Sequence, residues 1–237
     1  MSKQKHLSRL AAPKTWPIAR KKAKWIAKPI PATHSMQYSM PLQIYLIDIL
    51  HLAKSKAEVK RILNQNLVLV NGKVRKEARF PVGLFDTLKI LKYNKYYRVV
   101  LDNKGQLKLI EIPHTETDLI ITKVEGKHTI KGGKMQIHVS NGWNFIADKD
   151  IYKIGDCVLF DAKEGKPIKH IALEPGCIAY VIGGAHAGKV VTISDFVEEG
   201  ILRKKRYAIT IIDEKKLKIP LKELFVIGKN AAEITLP

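Results

Sequence analysis

Residues 55–74, SKAEVKRILNQNLVLVNGKV, determine the fold of the region around them. Ser55 and Glu58 have the spacing of a capping box, in which a hydroxyl and a carboxylate satisfy two backbone N–H groups at a helix start. A helix is therefore predicted to begin directly after Ser55, with Asn66 as the left-handed residue that follows its end. The dipeptide Asn71-Gly72 predicts a two-residue hairpin turn, because both positions need a positive φ. The stretch thus predicts a helix followed by a tight hairpin.

The residues before this stretch predict another helix that packs against the first. Pro41 suits the first turn of a helix, where its missing N–H costs nothing. Apolar side chains then recur at the 3.6-residue spacing of one helical face, which predicts a helix of about three turns. This face consists of Leu42, Leu46, Ile49, Leu50 and Ala53, and the facing stripe of the next helix consists of Val59, Ile62 and Leu63.

Basic side chains dominate the surface that the apolar stripes leave outside. The segment that carries these basic residues, 56–79, contains two acids, Glu58 and Glu77. On a lone helix, such a pattern would be explained equally well by a face exposed to solvent and by a binding surface. The basic residues are Lys56, Lys60, Arg61, Lys73, Arg75, Lys76 and Arg79.

The same stretch resembles a known motif. Ser55-Lys56-x-x-x-Lys60, Ile62-Leu63 and the run from Leu67 to Val74 are similar to the alpha-L RNA-binding motif of ribosomal proteins, pseudouridine synthases and some synthetases. Members of that family usually carry Arg where this chain has Lys56 and Lys60, and Gly where it has Asn66. Lysine keeps the charge and loses the bidentate fork. The resemblance implies RNA contacts by Lys56, Lys60, Arg61, Asn71, Lys73, Arg75 and Lys76.

The composition restricts the class of partner. The 237 residues include 42 Lys and Arg against 22 acids, a formal charge of +20 that points to a polyanion. Nucleic acid is the first candidate and an anionic membrane the second. No run approaches the roughly eighteen apolar residues of a membrane span, and no signal peptide is visible, so a cytoplasmic protein is expected. Cys157 and Cys177 are far apart, which predicts two small buried thiols and no disulfide, metal site or cofactor.

Residues 1–40 form a basic extension with nine Lys or Arg and no acid. Four prolines interrupt any long helix, and Trp16 and Trp25 lie among the cations. Such a segment fits one that becomes ordered on RNA, with rings against bases, although both indoles could instead pack on the adjacent domain. The residues expected to contact RNA are Lys3, Lys5, His6, Arg9, Lys14, Trp16, Arg20, Lys21 and Lys22.

A second resemblance covers nearly the whole chain. Lys5-His6-Leu7-x-Arg9-Leu10-x-Ala12-Pro13-Lys14-x-Trp16 is similar to the opening of the archaeal and eukaryotic type of small-subunit ribosomal protein four. The chain stops at Thr235-Leu236-Pro237, as shorter archaeal members do. The family implies an α+β, mostly β fold. Its parts would be a basic extension (1–40), a small alpha-L domain of two helices plus a hairpin (41–92), a central β-barrel-like domain (93–172) and a C-terminal KOW/SH3-like β-barrel (173–237).

Residues 93–172 predict short strands. Tyr96–Leu101 and Leu107–Ile112 flank a hairpin loop in which Gly105 is the position expected to need a positive φ. Strands at intervals of eight to twelve residues with Gly-rich turns favour a small closed or nearly closed β-barrel with no chemistry of its own. The further strands are predicted at Leu119–Val124, Lys127–Ile130, Met135–Val139 and Cys157–Phe160.

The run from Pro175 to Val190, PGCIAYVIGGAHAGKV, resembles a KOW motif, in which glycine lets the backbone come close to RNA. Residues 183–189 also fit a phosphate-binding loop, but Val190 stands where that loop needs Ser or Thr, and a strand is predicted to follow instead of a helix. An NTPase site is therefore not expected. The basic run 203–206 precedes a strand and could bind phosphate or be solvated. RNA contacts are predicted for Gly188, Lys189, Arg203, Lys204 and Arg206.

These observations favour a non-catalytic constituent of the small ribosomal subunit that binds ribosomal RNA and supports subunit assembly and translation. Small-subunit ribosomal RNA and neighbouring small-subunit proteins are the expected partners, with no membrane and no small-molecule substrate. An RNA-modifying enzyme is the alternative, but no paired carboxylates, Ser/His/Asp set or Cys with a His partner emerges. A transcription or translation factor built on alpha-L and KOW modules is a further alternative; a transcription elongation factor would explain the C-terminal unit alone.

Overall fold

The structure, a computed structural model, describes residues 6–200, 205–212, 215–229 and 231–236. These residues are mostly β, with two short helices. They divide into two units. The first holds the chain up to Val100 together with Gln106–Asp118, and the second holds Leu101–Gly105 together with the chain from Leu119 onward.

The first unit contains two short strand pairs, a five-stranded sheet and both helices. Strands β1 and β2 pair with each other, as do β3 and β6, and the larger sheet has the order β5-β4-β7-β8-β9. Its strands are β1 Leu7–Ser8, β2 Trp25–Ile26, β3 Ser39–Pro41, β4 Val68–Val70, β5 Lys73–Val74, β6 Pro81–Gly83, β7 Thr87–Ile90, β8 Lys95–Leu101 and β9 Leu107–Glu111. Helix α1 spans Leu42–Ile44 and continues as a π-helical turn over Tyr45–Ile49, and α2 spans Lys56–Asn64.

The predicted helix and hairpin are confirmed. The Ser55 hydroxyl accepts a hydrogen bond from the Glu58 N–H at 3.3 Å. The Glu58 carboxylate reaches back one residue further than the capping box requires, to the N–H of Lys54 at 2.7 Å. Asn66 has a φ of 58°, and the hairpin turn has 51° at Asn71 and 71° at Gly72. Local sequence signals therefore fix both the end of α2 and the register of the hairpin.

The first helix is shorter than the predicted three turns. Its regular and π-helical parts together cover eight residues. The helix ends because the chain turns at His51, which has a φ of 51°. The N–H groups of Leu52 and Ala53 both bond to the carbonyl of Leu46, which folds the segment back and buries Ala53 without a further helical turn.

In its described residues, the basic extension is bonded to other parts of the first unit. Trp16 is 1% exposed, and its indole N–H donates to the Ser39 carbonyl at 2.8 Å. The N–H of Leu107 donates to the Thr15 carbonyl at 2.8 Å. Trp25 is 53% exposed. Trp16 is therefore buried, with its indole N–H bonded within the extension, whereas Trp25 remains on the surface.

Strand pairing groups the chain differently from the predicted division at residues 92 and 93. Strand β8 pairs with β7 from Thr87↔Arg98 to Ile90↔Lys95, so the hairpin of β8 and β9 continues the sheet that contains β4. The hairpin loop has the expected positive φ at Gly105, 69°. Backbone pairing thus places this hairpin with the helices.

The second unit contains two five-stranded antiparallel sheets. The central sheet has the order β12-β11-β10-β13-β14, and the C-terminal sheet has the order β18-β17-β16-β15-β19. The central strands are β10 Leu119–Thr129, β11 Met135–Val139, β12 Asn144–Ala147, β13 Cys157–Asp161 and β14 Pro167–Ile171. The C-terminal strands are β15 Ile178–Val181, β16 Val190–Glu199, β17 Lys205–Ile212, β18 Lys215–Pro220 and β19 Leu224–Gly228.

Strand β10 replaces two of the predicted strands. It runs through both Leu119–Val124 and Lys127–Ile130 as far as Thr129, and its register shifts between Val124 and Gly126. The first half pairs with β13 and the second half with β11. A bulge of this kind bends a strand and keeps it continuous. The edge strands β12 and β14 do not pair with each other in the described residues, so closure of a barrel stays a prediction.

Strand β16 begins at Val190, directly after the glycine-rich loop, as the sequence predicts. Because a strand and not a helix follows that loop directly, the phosphate-binding geometry of a nucleotide site is missing there. The Lys123 ammonium ties the two sheets together. It donates to the carbonyls of Leu221 and Leu224, at 2.5 and 2.9 Å, and burial lowers its pKa.

Candidate nucleic-acid interface

Helix α2 presents a basic face because its apolar side chains are used in the core. Val59 and Leu63 are fully buried, and Ile62 is half-buried. The cations on the opposite side and on the hairpin are exposed, as the spacing predicts. We call this set the helix–hairpin surface; it consists of Lys56, Lys60, Arg61, Lys73, Lys76 and Arg79.

Arg75 differs from its neighbours on the hairpin. Its guanidinium carbon lies 4.3 Å from the ring centroid of Phe80, and its Nε is buried without a hydrogen-bond partner in the described residues. Stacking of this kind holds the guanidinium plane in a fixed orientation. Arg75 is half-buried, and its predicted RNA contact stays a prediction.

Asn71 has a structural role that the motif alone does not reveal. Its amide NH₂ donates to Asp86 Oδ1 at 2.7 Å, and its Oδ1 accepts from the Thr87 N–H at 2.8 Å. The side chain thus connects the hairpin turn to β7. Because these bonds use both ends of the amide, the structure gives no support to the predicted RNA contact of Asn71.

A histidine of the extension is anchored beside the same carboxylate. His34 Nε2 lies 2.9 Å from Asp86 Oδ2, which also accepts from the Gly83 N–H at 2.7 Å. The imidazole covers Gly83, where a Cβ would come within 2.4 Å of the ring. Burial lowers the pKa of His34, but the charge of Asp86 and its hydrogen bond outweigh burial, so the net pKa is raised. The sequence gives no signal for this pair.

This pair predicts a pH dependence of stability. A histidine whose pKa is raised by folding stabilises the folded state fully below its unfolded pKa of about 6.5, and that contribution disappears as the pH rises through the folded pKa. The free energy of unfolding should therefore fall as the pH rises above about 6.5, and His34→Gln should flatten this slope. Urea denaturation at several pH values measures it.

The wild-type protein and His34→Gln are compared over the same series of pH values. If His34→Gln and the wild-type protein showed equal slopes, the assignment of the pH dependence to the His34–Asp86 pair would be wrong.

Two arginines of the extension donate hydrogen bonds to backbone carbonyls of the extension. The Arg9 guanidinium is buried and donates to the Ala19 carbonyl at 3.1 Å. Arg20 donates to the carbonyls of Ala12 and Pro13, at 2.5 and 2.6 Å. Both guanidinium groups therefore serve as internal hydrogen-bond donors, and their predicted RNA contacts stay predictions.

The indole of Trp16 is also buried. Trp16 is predicted to contact RNA, but its side chain is 1% exposed, so the structure gives no support to that contact. The exposed residues among the predicted contacts of the extension are His6, Lys14, Lys21 and Lys22. Lys3 and Lys5 lie outside the described residues.

A groove of about 430 Å³ lies between the extension and the two helices. We call it the extension groove. Trp25 lies at its wall, with Lys24 Nζ 5.2 Å from the indole centroid and the His6 ring 5.5 Å from it. The polar part of its lining includes five cations and one carboxylate: Arg9, Lys22, Lys54, Lys56, Arg79 and Asp48. The sequence suggests Trp25 as a ring that could meet bases but does not include it or Lys54 among the predicted contacts, because the groove depends on packing between distant segments.

The predicted contacts in the C-terminal sheet fall into different environments. Gly188 is buried with a φ of 87°, and a Cβ there would come within 2.6 Å of the Asp102 carbonyl oxygen. This glycine therefore permits a close approach within the protein. Lys189 is half-buried, and Arg206 Nε pairs with Glu198 Oε1 at 2.6 Å. Arg203 and Lys204 lie outside the described residues.

The described residues contain no group of three or more His, Cys, Asp or Glu that could hold a metal ion. Both cysteines are buried, as predicted, and burial raises the pKa of Cys157 to about 12. Within the described ranges, no helix is long and apolar enough to cross a membrane.

Three family models match the chain. The model described as RS4NT (NUC023) domain matches residues 1–37, the S4 domain matches 40–88, and Ribosomal family S4e matches 93–167. The helix–hairpin surface thus lies within the S4 domain match.

Curated relatives match along the chain. The small ribosomal subunit protein eS4 of Methanocella arvoryzae is 37% identical over 97% of this chain and 96% of its own length. That of Methanosphaera stadtmanae is 39% identical over 100% of this chain and 97% of its own length. The crystal structure of the 30S ribosomal protein S4e from Thermoplasma acidophilum has a TM-score of 0.69 and 29% identity, covering 81% of this chain and 96% of that chain.

Proposed function

This chain belongs to ribosomal family S4e, and from that premise we propose that it is a structural constituent of the small ribosomal subunit that binds ribosomal RNA. It is a ribosomal protein and not an enzyme. The observation that carries RNA binding is the helix–hairpin surface, because its cations stand on a rigid helix whose other face is buried. Its partners are small-subunit ribosomal RNA and the neighbouring proteins of that subunit, and it supports subunit assembly and translation in the cytoplasm.

The basic residues act by neutralising phosphates. Lys56 and Lys60 lie one helical turn apart on α2, so both ammonium groups can meet the same RNA backbone. Each phosphate contact releases condensed counterions, which supplies affinity without sequence information. Positions on several elements then fix the orientation of the protein on a folded RNA.

The finer architecture is part of the same proposal. The order of the matched segments supports the division into a basic extension, an alpha-L domain and a central β domain, except that β8 and β9 pair with the sheet of the alpha-L domain. The two sheets of the second unit support the separation of the central domain from the C-terminal KOW domain. We assign the C-terminal sheet an SH3-like barrel fold and expect Lys189 and Arg206 at its RNA-facing edge. Neither an RNA-modifying enzyme nor an elongation factor finds support among the relatives, which are named as small-subunit proteins.

Replacing both Lys56 and Lys60 by Ala should weaken binding to small-subunit ribosomal RNA by roughly tenfold for each phosphate that is no longer neutralised. The slope of log affinity against log salt should become shallower by about two. Filter binding at several salt concentrations measures both quantities. The fold should persist, because both side chains are exposed and off the apolar stripe.

The matched control is the pair of changes Lys56→Arg and Lys60→Arg, which keeps both charges and should keep the affinity. Cosedimentation tests the assignment in the cell: the protein should stay with small subunits through a moderate-salt wash. Free protein in a lysate that contains intact small subunits would contradict the proposed function.

A further inference from the structure

We propose that the extension groove binds an unpaired segment of RNA, with one nucleobase stacked on the indole of Trp25. This inference rests on the proposed function and deepens it, because it names the form of RNA that this part of the surface takes. The groove lies wholly within the first unit, between the extension and the helices.

Trp25 presents its ring to solvent from a fixed backbone. Its side chain is 53% exposed although Trp is among the side chains that gain most from burial. Its backbone is fixed, because β1 and β2 pair with Ser8 opposite Trp25. The ring is thus held on an ordered strand and not on a loose tail. Aromatic side chains fixed in this way are the platforms on which unpaired bases stack.

Positively charged side chains surround the Trp25 ring. Lys22, Lys54 and Lys56 line the groove, and none of their ammonium groups pairs with a carboxylate among the described residues. Arg79 also lines it, with Glu77 at 3.6 Å. Cations that flank an exposed indole provide phosphate contacts on either side of a stacked base, which is how proteins hold single-stranded nucleic acid.

The size of the extension groove fits a single nucleotide and not a duplex. The volume of about 430 Å³ lies within the range of pockets that take small organic molecules, so it suits about one nucleotide and is too small for a duplex. A base inside a duplex is already stacked and paired, so its face cannot reach Trp25 without a cost of a few kcal/mol. The indole offers a stacking face that a nucleobase can use and that an acidic side chain cannot.

The test compares the full-length wild-type protein with Trp25→Ala for binding of an oligoadenylate of about twelve nucleotides and of the same strand annealed to oligouridylate. Trp25→Ala should weaken binding of the single strand by roughly 5- to 150-fold and change duplex binding by less than about twofold. Trp25→Phe, which keeps an aromatic ring, should restore most of the affinity.

A matched control is available in the same unit. Tyr93 is 51% exposed with Lys92 Nζ 5.6 Å from its ring, so it resembles Trp25 but does not line the groove. Tyr93→Ala should leave both affinities unchanged. The proposal is overturned if Trp25→Ala and Tyr93→Ala weaken binding equally, or if Trp25→Ala affects the duplex as much as the single strand.

Other results separate this proposal from the proposed function. Oligoadenylate that fails to bind the wild-type protein, while small-subunit ribosomal RNA binds and the change of Lys56 and Lys60 to Ala weakens it, overturns the base-stacking site alone. Oligoglutamate that binds as tightly as oligoadenylate and with no dependence on Trp25 identifies the groove as a site for acidic chains, which also overturns it. Failure to bind any RNA contradicts both proposals.

Discussion

Raising the salt concentration from about 50 to 200 mM should lower the affinity of the full-length protein for small-subunit ribosomal RNA by roughly 10³ to 10⁵. This decrease corresponds to contacts with about six to ten phosphates. The formal charge of +20 and the exposed cations of α2, the hairpin and the extension supply enough groups for that number. Filter binding or fluorescence anisotropy over a series of salt concentrations measures the slope.

The control for this experiment is a measurement of folding over the same salt series, because unfolding at one end of the series would also change binding. Circular dichroism over the same salt range should remain constant, since the cores of both units are apolar and salt screens exposed charges. A flat salt dependence with the fold intact would exclude phosphate neutralisation as the main source of affinity.

Replacing Trp16 by Ala should destabilise the first unit by about 3 to 5 kcal/mol. The indole is 1% exposed, and its N–H donates to the Ser39 carbonyl, so the change removes buried apolar area and leaves a carbonyl without that donor. Hydrogen exchange of the Leu107 amide, which donates to the Thr15 carbonyl, reports directly on docking of the extension and should accelerate by roughly 150- to 4,000-fold.

Trp25→Ala provides the comparison, because it removes the same type of side chain from the same extension at a half-exposed position. We expect less than about 1 kcal/mol of destabilisation from it. Equal effects of the two changes on unfolding would mean that Trp16 does not anchor the extension. Protection of Leu107 unchanged by Trp16→Ala would have the same meaning.

The sequence predicts those elements whose causes are local. The two ends of α2 follow from Ser55 and Asn66, and the hairpin register follows from Asn71-Gly72, since each signal acts within a few residues. The start of β16 at Val190 is predicted for the same reason. Local chemistry also identifies the exposed cations, because the apolar stripe of α2 leaves only one face for them.

Features set by distant contacts are not predictable in this way. The two tryptophans of the extension occupy similar basic surroundings in sequence, and only packing decides that Trp16 is buried and Trp25 exposed. The approach of His34 to Asp86 joins residues far apart in the chain. The early end of α1 depends on the turn at His51, which no spacing rule reveals. The guanidinium groups of Arg9 and Arg20 donate to carbonyls within the extension, which no spacing rule reveals, and their RNA contacts stay predictions.

The burial of both native cysteines has a practical consequence for mapping the RNA. Cys157 is 0% exposed and Cys177 is 2% exposed, so neither thiol reacts readily with alkylating reagents while the protein is folded. A cysteine introduced at a surface position would then be the single accessible point of attachment for a cleavage or photocrosslinking label. The native sequence is thus a ready background for locating, one position at a time, which nucleotides lie beside each face of the molecule.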